Sequence, residues 1–138
     1  SRQDPTSMYA GVIPIFIQRV LDNLPPLIYG SGMALRDYIH VKDVARGIFL
    51  ASIGSSLGHL RVNLGTGQGT RVKDLAEAIL AIMGRQDLGL SYQEERKGEI
   101  QSSLADVKQA AVSFGFKAAI QLNEGIKELI DNNGKRLL

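Results

Sequence analysis

The chain has 138 residues and 44% hydrophobic content, enough to bury one core, and the whole span 1–138 reads as a single domain. Sixteen Lys and Arg against 14 Asp and Glu leave a net charge of +2, and four Phe and four Tyr are dispersed, which excludes a nucleic-acid binder with a clustered basic, aromatic face. The absence of cysteine excludes disulfides and thiolate metal sites.

Helices alternate with short strands, which predicts an α/β (α+β) fold. Val12, Ile13, Phe16, Val20 and Leu21 recur at helical spacing with Pro14 tolerable in the first turn, and Leu24-Pro25-Pro26 ends the element. Leu27-Ile28-Tyr29 reads as a strand. Asp43 is the expected N-cap of a helix through Val44, Ala45, Ile48, Phe49 and Ala51 that stops near Gly54, and Leu60–Leu64 is the next expected strand. Thr70 is the expected cap of the clearest helix, in which Val72, Leu75, Ala76, Ile79, Leu80 and Met83 form one stripe and Gly84 is the stop. Leu88–Tyr92 predicts a strand. Ser103-Leu104-Ala105-Asp106 resembles a capping box opening a helix that ends at Gly115. Leu122, Ile126, Leu129 and Ile130 mark a last helix that closes near Asn133-Gly134.

The most informative stretch is Gly30-Ser31-Gly32-Met33-Ala34-Leu35-Arg36-Asp37-Tyr38-Ile39-His40-Val41-Lys42-Asp43-Val44. It sets a glycine-flexed loop, one arginine, an extended segment and a capped helix in succession. A guanidinium offers a planar fork of donors that fits two phosphate oxygens, and glycines let the backbone approach a ligand. The order suggests a site for a phosphorylated ligand.

Other patterns point elsewhere. Tyr38-x-x-x-Lys42 has the spacing of a catalytic tyrosine–lysine pair, but the alternation of Tyr38 and His40 with Ile39 and Val41 favours an extended segment in which the two stand too far apart to act as one couple. Gly65-Thr66-Gly67-Gln68-Gly69-Thr70 resembles a dinucleotide turn, but Thr70 stands where the third glycine is needed, so a tight strand-to-helix bend is expected. His40 and His59 are far apart with no acidic cluster beside them, so no metal site is expected. The most apolar stretch, Val12 to Val20, is too short to span a membrane and carries Pro14, Gln18 and Arg19. No signal peptide is visible, and a cytoplasmic location is the expectation.

Taken in register, Arg2-Gln3-Asp4-Pro5, Val12-Ile13-Pro14-Ile15-Phe16-Ile17, Leu27-Ile28-Tyr29-Gly30, the arginine stretch, Asn63-Leu64-Gly65-Thr66-Gly67, Arg96-Lys97-Gly98-Glu99 and Leu122-Asn123-Glu124-Gly125-Ile126 resemble the C-terminal part of the extended short-chain dehydrogenases. The resemblance is to NAD-dependent nucleotide-sugar epimerases and dehydratases of the UDP-glucose 4-epimerase type, and it covers almost the whole chain. It implies the small substrate-binding domain of an extended Rossmann-type enzyme. The family's glycine-rich NAD turn and its catalytic Tyr-x-x-x-Lys pair have no counterpart here. The expectation is therefore a chain without the N-terminal NAD-binding half, an excised piece or a split gene product, that supplies no catalytic residue and holds no cofactor by itself.

The resemblance also implies roles for single residues. Arg36 and Arg96 match two arginines that grip the diphosphate of the sugar nucleotide. Glu99 stands where Asp commonly reaches the ribose hydroxyls. Leu27, Tyr29 and Val12 match positions lining the nucleobase pocket, while Ser31 and Leu35 replace the usual Asp and polar residue. Local ion pairs are the alternative for the arginines, with Asp37 or Asp43 for Arg36 and with Glu94 or Glu95 for Arg96; core packing is the alternative for the pocket residues. A UDP-sugar is the implied ligand, and the NAD-binding half or a second copy of the chain the implied partners. In the full-length enzyme NAD would oxidise a sugar hydroxyl and return the hydride after rotation of the keto sugar or after loss of water. A 4,6-dehydratase or reductase of the same superfamily, and a non-catalytic assembly module, are the alternatives.

Overall fold

A computed structural model describes residues 11–54 and 60–134; Arg2-Gln3-Asp4-Pro5 and His59 lie outside them. The fold is mixed α/β, with its elements divided between two compact units. One is built from residues up to Ala34, Arg71–Gln101 and from Asn123 onward; the other consists of Leu35–Thr70 and Ser102–Leu122.

The first unit is held by an apolar core. Helix α1 (Val12–Leu21) buries Phe16, Ile17 and Val20, which fall on one face at helical spacing. Pro14 sits in its first turn, where a missing N–H costs no hydrogen bond. The helix ends with Asn23 at φ +59° and the Leu24 amide bonded to the Arg19 carbonyl at 2.8 Å. Strand β1 (Leu27–Tyr29) follows, with Ile28 buried. It pairs in parallel with Ser91–Gln93, Leu27 opposite Ser91 and Tyr29 opposite Gln93. Between them in sequence, helix Val72–Ile82 buries Leu75, Ala76, Ile79 and Leu80 and packs on α1. Gly84, at φ +65°, lies just beyond it, as the sequence predicts. A helical turn, Gln86–Leu88, precedes the strand, which therefore starts later than Leu88.

The second unit is built differently. Strand β2 (Leu35–Arg36) pairs in parallel with Ser102–Ser103. Helix α2 (Val41–Ile53) starts earlier than the sequence suggests, because His40 is its cap and accepts the Lys42 amide at Nδ1, 3.2 Å away. Asp43 lies inside the first turn, only 2% exposed. Its carboxylate accepts the amides of Ala119 and Ile120 at 3.0 and 2.9 Å and the Arg46 guanidinium at 3.0 Å. The Arg46 guanidinium also donates to the Lys117 carbonyl and lies 5.3 Å from the Phe116 ring centroid. Gly47 permits this packing, since a Cβ there would lie 2.9 Å from Leu64 Cδ2 and 3.0 Å from Phe116 Cε2.

Three further expectations change. Residues 60–64 form no strand. Thr70 is not a cap but opens strand β3 (Thr70–Arg71), and Arg71 precedes α3 (Val72–Ile82) without a side-chain cap. Ser103 belongs to a strand, so the next helix, α4 (Lys108–Phe114), takes its N-terminal side-chain acceptor from Asp106, which receives the Lys108 amide at 3.1 Å. In order, the strands Ser91–Gln93 and Ser102–Ser103 are β4 and β5. Gly115 ends α4 in the left-handed region, and α5 runs Leu122–Gly134, both where predicted.

Helix α2 has its polarity reversed. Its buried residues are Asp43 and Gly47, whereas Val41, Ile48, Phe49 and Ile53 are each at least 60% exposed. Apolar side chains left in water stabilise nothing in their own unit. Ile48→Lys and Phe49→Gln are therefore expected to change unfolding free energy by less than about 0.5 kcal/mol while lowering the fluorescence of a dye that binds apolar surface; urea melts and dye titration check both.

Asp43 behaves oppositely. Burial by itself raises a carboxyl's pKa, but the Ile120 amide, the Arg46 guanidinium and the Ala119 amide outweigh it and hold Asp43 below its usual 3.8. A depressed folded value stabilises the native state above the unfolded value, and that contribution disappears as pH falls through the folded value. Asp43→Ala should cost about 3 kcal/mol at pH 7. The gap between variant and parent in urea melts should narrow once the pH drops well below 3.8.

Candidate functional site

Five of the six predicted ligand contacts fall in the first unit. Strand alternation puts Leu27 and Tyr29 on one face of β1, both half-buried, opposite the buried Ile28. Arg96 and Glu99 bracket a tight turn in which the Glu99 amide donates to the Arg96 carbonyl at 3.2 Å. Gly98 supplies the left-handed residue this turn requires, at φ +80°. The turn delivers the Arg96 guanidinium over the Tyr29 ring, 3.8 Å from its centroid, a cation–π stack. Glu95 bonds instead to Gln101, Nε2 to Oε1, at 2.6 Å, and its side chain packs along Gly30. Val12 is the half-buried first residue of α1.

Arg36 belongs to the second unit, at the end of β2, half-buried, with Nη1 donating to the Leu35 carbonyl at 2.8 Å. It lines a cleft of about 430 Å³ together with Asp37, Asn63, Gly65, Ser103 and Ala105. The cleft's walls are drawn together by a residue that pattern reading weighed only as an ion-pair partner. The Asp37 carboxylate accepts the Thr66 amide at 2.9 Å and hydroxyl at Oδ1, and the Gly67 and Ala105 amides at Oδ2, 2.9 and 3.3 Å away. Partial burial pushes this carboxyl upward, but the Thr66 hydroxyl and the three amides prevail and leave it below its usual value. The signal available in the sequence was the pairing of a glycine-rich bend with an acid elsewhere in the chain.

That network also bears on the glycine-rich bend that resembles a dinucleotide turn. The bend Gly65-Thr66-Gly67 does collect a negative group, but the group is the protein's own carboxylate. Amides engaged in this way do not fit a dinucleotide phosphate, so this bend offers NAD no cradle. Among the described residues, the buried Tyr38 hydroxyl has no hydrogen-bond partner; burial raises its pKa, against a smaller opposing pull from Arg36. A raised phenol is poorly suited to abstract a proton near neutrality. Among the described residues, no group of His, Asp and Glu could hold a metal ion, and no helix is long and apolar enough to cross a membrane.

The sequence model of the NAD dependent epimerase/dehydratase family matches residues 1–65. The fold is similar to the UDP-glucose 4-epimerase of Thermotoga maritima, solved with UDP-glucose, at a TM-score of 0.89 and 35% identity over 99% of this chain and 43% of that one. In sequence, the UDP-glucose 4-epimerase of Mycolicibacterium smegmatis is 33% identical over 94% of this chain and 41% of its own length. The dTDP-glucose 4,6-dehydratase of an Actinoplanes species is 31% identical over 94% and 39%. The chain thus spans about two fifths of the length of the curated relatives it matches. In both sequence and fold, the chain matches the C-terminal part of the extended short-chain dehydrogenases of the NAD-dependent epimerase/dehydratase family.

Proposed function

We propose that this chain is the nucleotide-sugar-holding part of an NAD-dependent epimerase of the UDP-glucose 4-epimerase type. Arg36 and Arg96 hold the diphosphate, Glu99 faces the ribose, and Leu27, Tyr29 and Val12 border the base. NAD and the catalytic tyrosine–lysine pair belong to a part of the enzyme outside these residues, with a cytoplasmic setting. The observation that carries the reading is the Arg96 guanidinium stacked on Tyr29 at 3.8 Å. Two residues picked from separate motifs, one for phosphate and one for the base, are in contact. The stack limits the motion of the guanidinium while its edge keeps donors for phosphate oxygens.

Anchoring at a diphosphate is remote from the sugar carbon that reacts. Its catalytic value is orientation: binding energy collected at the phosphates fixes the hexose relative to the groups that transfer hydride and proton. The UDP-glucose complex of the Thermotoga relative supports uridine as the base. The Actinoplanes dehydratase relative makes dTDP-glucose the competing ligand to test.

Isothermal titration of the 138-residue chain with UDP-glucose, UDP, uridine and dTDP-glucose tests the proposal. UDP-glucose and UDP should bind, uridine much more weakly, and dTDP-glucose less tightly than UDP-glucose. Arg36→Ala and Arg96→Ala should each weaken UDP about 10- to 100-fold, the worth of one charge-assisted contact. Absence of binding at millimolar UDP-glucose refutes the proposal, and a preference for dTDP-glucose replaces the epimerase reading by the dehydratase one.

A further inference from the structure

We infer that Asp37 is a positioning residue that sets the width of the Arg36 cleft and thereby the placement of Arg36 against a diphosphate. The inference rests on the reading of Arg36 as a diphosphate contact. Its basis is the way one side chain spans the cleft. The Asp37 amide donates to the Ser103 carbonyl at 3.1 Å, continuing the β2–β5 pairing one residue beyond Arg36. Its carboxylate then takes Thr66 and Gly67, which follow directly on the wall residue Gly65, and Ala105 from the other wall. Arg36 is its covalent neighbour, so the residue that gathers the walls also carries the guanidinium.

The close approach at Gly65 indicates how tightly this setting is made. A Cβ at Gly65 would lie 2.4 Å from the Ala105 Cβ and 2.7 Å from Asp37 Oδ2, distances that real atoms do not adopt. The walls therefore meet at van der Waals limits around the carboxylate, and neither can move inward to replace its bonds. Without the carboxylate, three amides and a hydroxyl must find other acceptors, and with a neutral side-chain amide the donors to Oδ2 lose theirs, so the walls part. Asp43 ties a different part of the same unit, through Ala119, Ile120 and Arg46, and so serves as a control carboxylate.

Asp37→Asn keeps the shape, removes the charge and confronts amide donors with a side-chain amide. UDP affinity should fall about tenfold while uridine affinity stays within about twofold, since the effect passes through the phosphate contact. In an Arg36→Ala background the same substitution should add less than about twofold, because its route is already removed. Asp43→Asn should lower thermal stability without this coupling to Arg36. If Asp37→Asn does not fold, Thr66→Val, which deletes one donor to the carboxylate, should show the same selective loss in smaller degree. Equal losses for UDP and uridine, or an additive double variant, overturn the inference. So does an unchanged UDP affinity in Asp37→Asn while Arg36→Ala weakens binding, which leaves the diphosphate reading intact. If Arg36→Ala has no effect on UDP, both fall together.

Discussion

Charge–amide bonding at two aspartates organises the half of this chain that has little apolar interior. In the first unit Phe16, Ile17, Val20, Ile28, Leu75, Ile79 and Leu80 are withdrawn from water, and hydrophobic transfer supplies the driving force. In the second, Ala110 and Phe116 are the buried apolar side chains among the described residues, and Asp43 is buried as well. Its loops are gathered instead by carboxylates that collect backbone amides across long sequence separations: Asp37 from Thr66, Gly67 and Ala105, Asp43 from Ala119 and Ile120. Such bonds are directional in a way that apolar contacts are not. A carboxylate with several fixed donors tolerates few alternative arrangements.

This construction bears on what the chain could hold. A glycine-rich bend whose amides converge is equipment for binding an anion. At Gly65-Thr66-Gly67 the anion comes from within the protein, so the bend organises a wall rather than receiving a cofactor. The two cationic groups proposed for the diphosphate are set by other means: Arg96 by stacking on Tyr29, Arg36 by the strand that ends with it and a bond to the Leu35 carbonyl. Both mechanisms restrain a flexible side chain, which would reduce the ordering entropy demanded by binding at the proposed site.

Periodicity revealed those elements whose pattern is local and strong. The stripe from Val72 to Met83 and its glycine stop, the strand Leu27-Ile28-Tyr29, the glycine end of α4 at Gly115 and the last helix all match the structure. Caps were less legible. Asp43 has the chemistry of an N-cap, but its partners are amides more than seventy residues away, and His40 does the capping. Thr70 and Ser103 likewise carry cap-forming hydroxyls but are recruited into strands. Of the site, Tyr29 and Arg96 each stand out because their positions match motifs of one family, but the stacking contact between them has no signature in the sequence. The role of Asp37 has no local signature, since a lone acid after an arginine looks like half of an ion pair until the fold brings the donors to it.

Helix α2 turns a carboxylate and a glycine inward and Val41, Ile48, Phe49 and Ile53 outward. A formal charge of only +2 provides weak mutual repulsion between molecules. That ridge, together with other exposed apolar side chains such as Ile100 and Val112, then weighs on colloidal behaviour alongside electrostatics. Salting-out anions, which strengthen apolar burial, would bring the isolated polypeptide out of solution sooner than its balanced composition suggests.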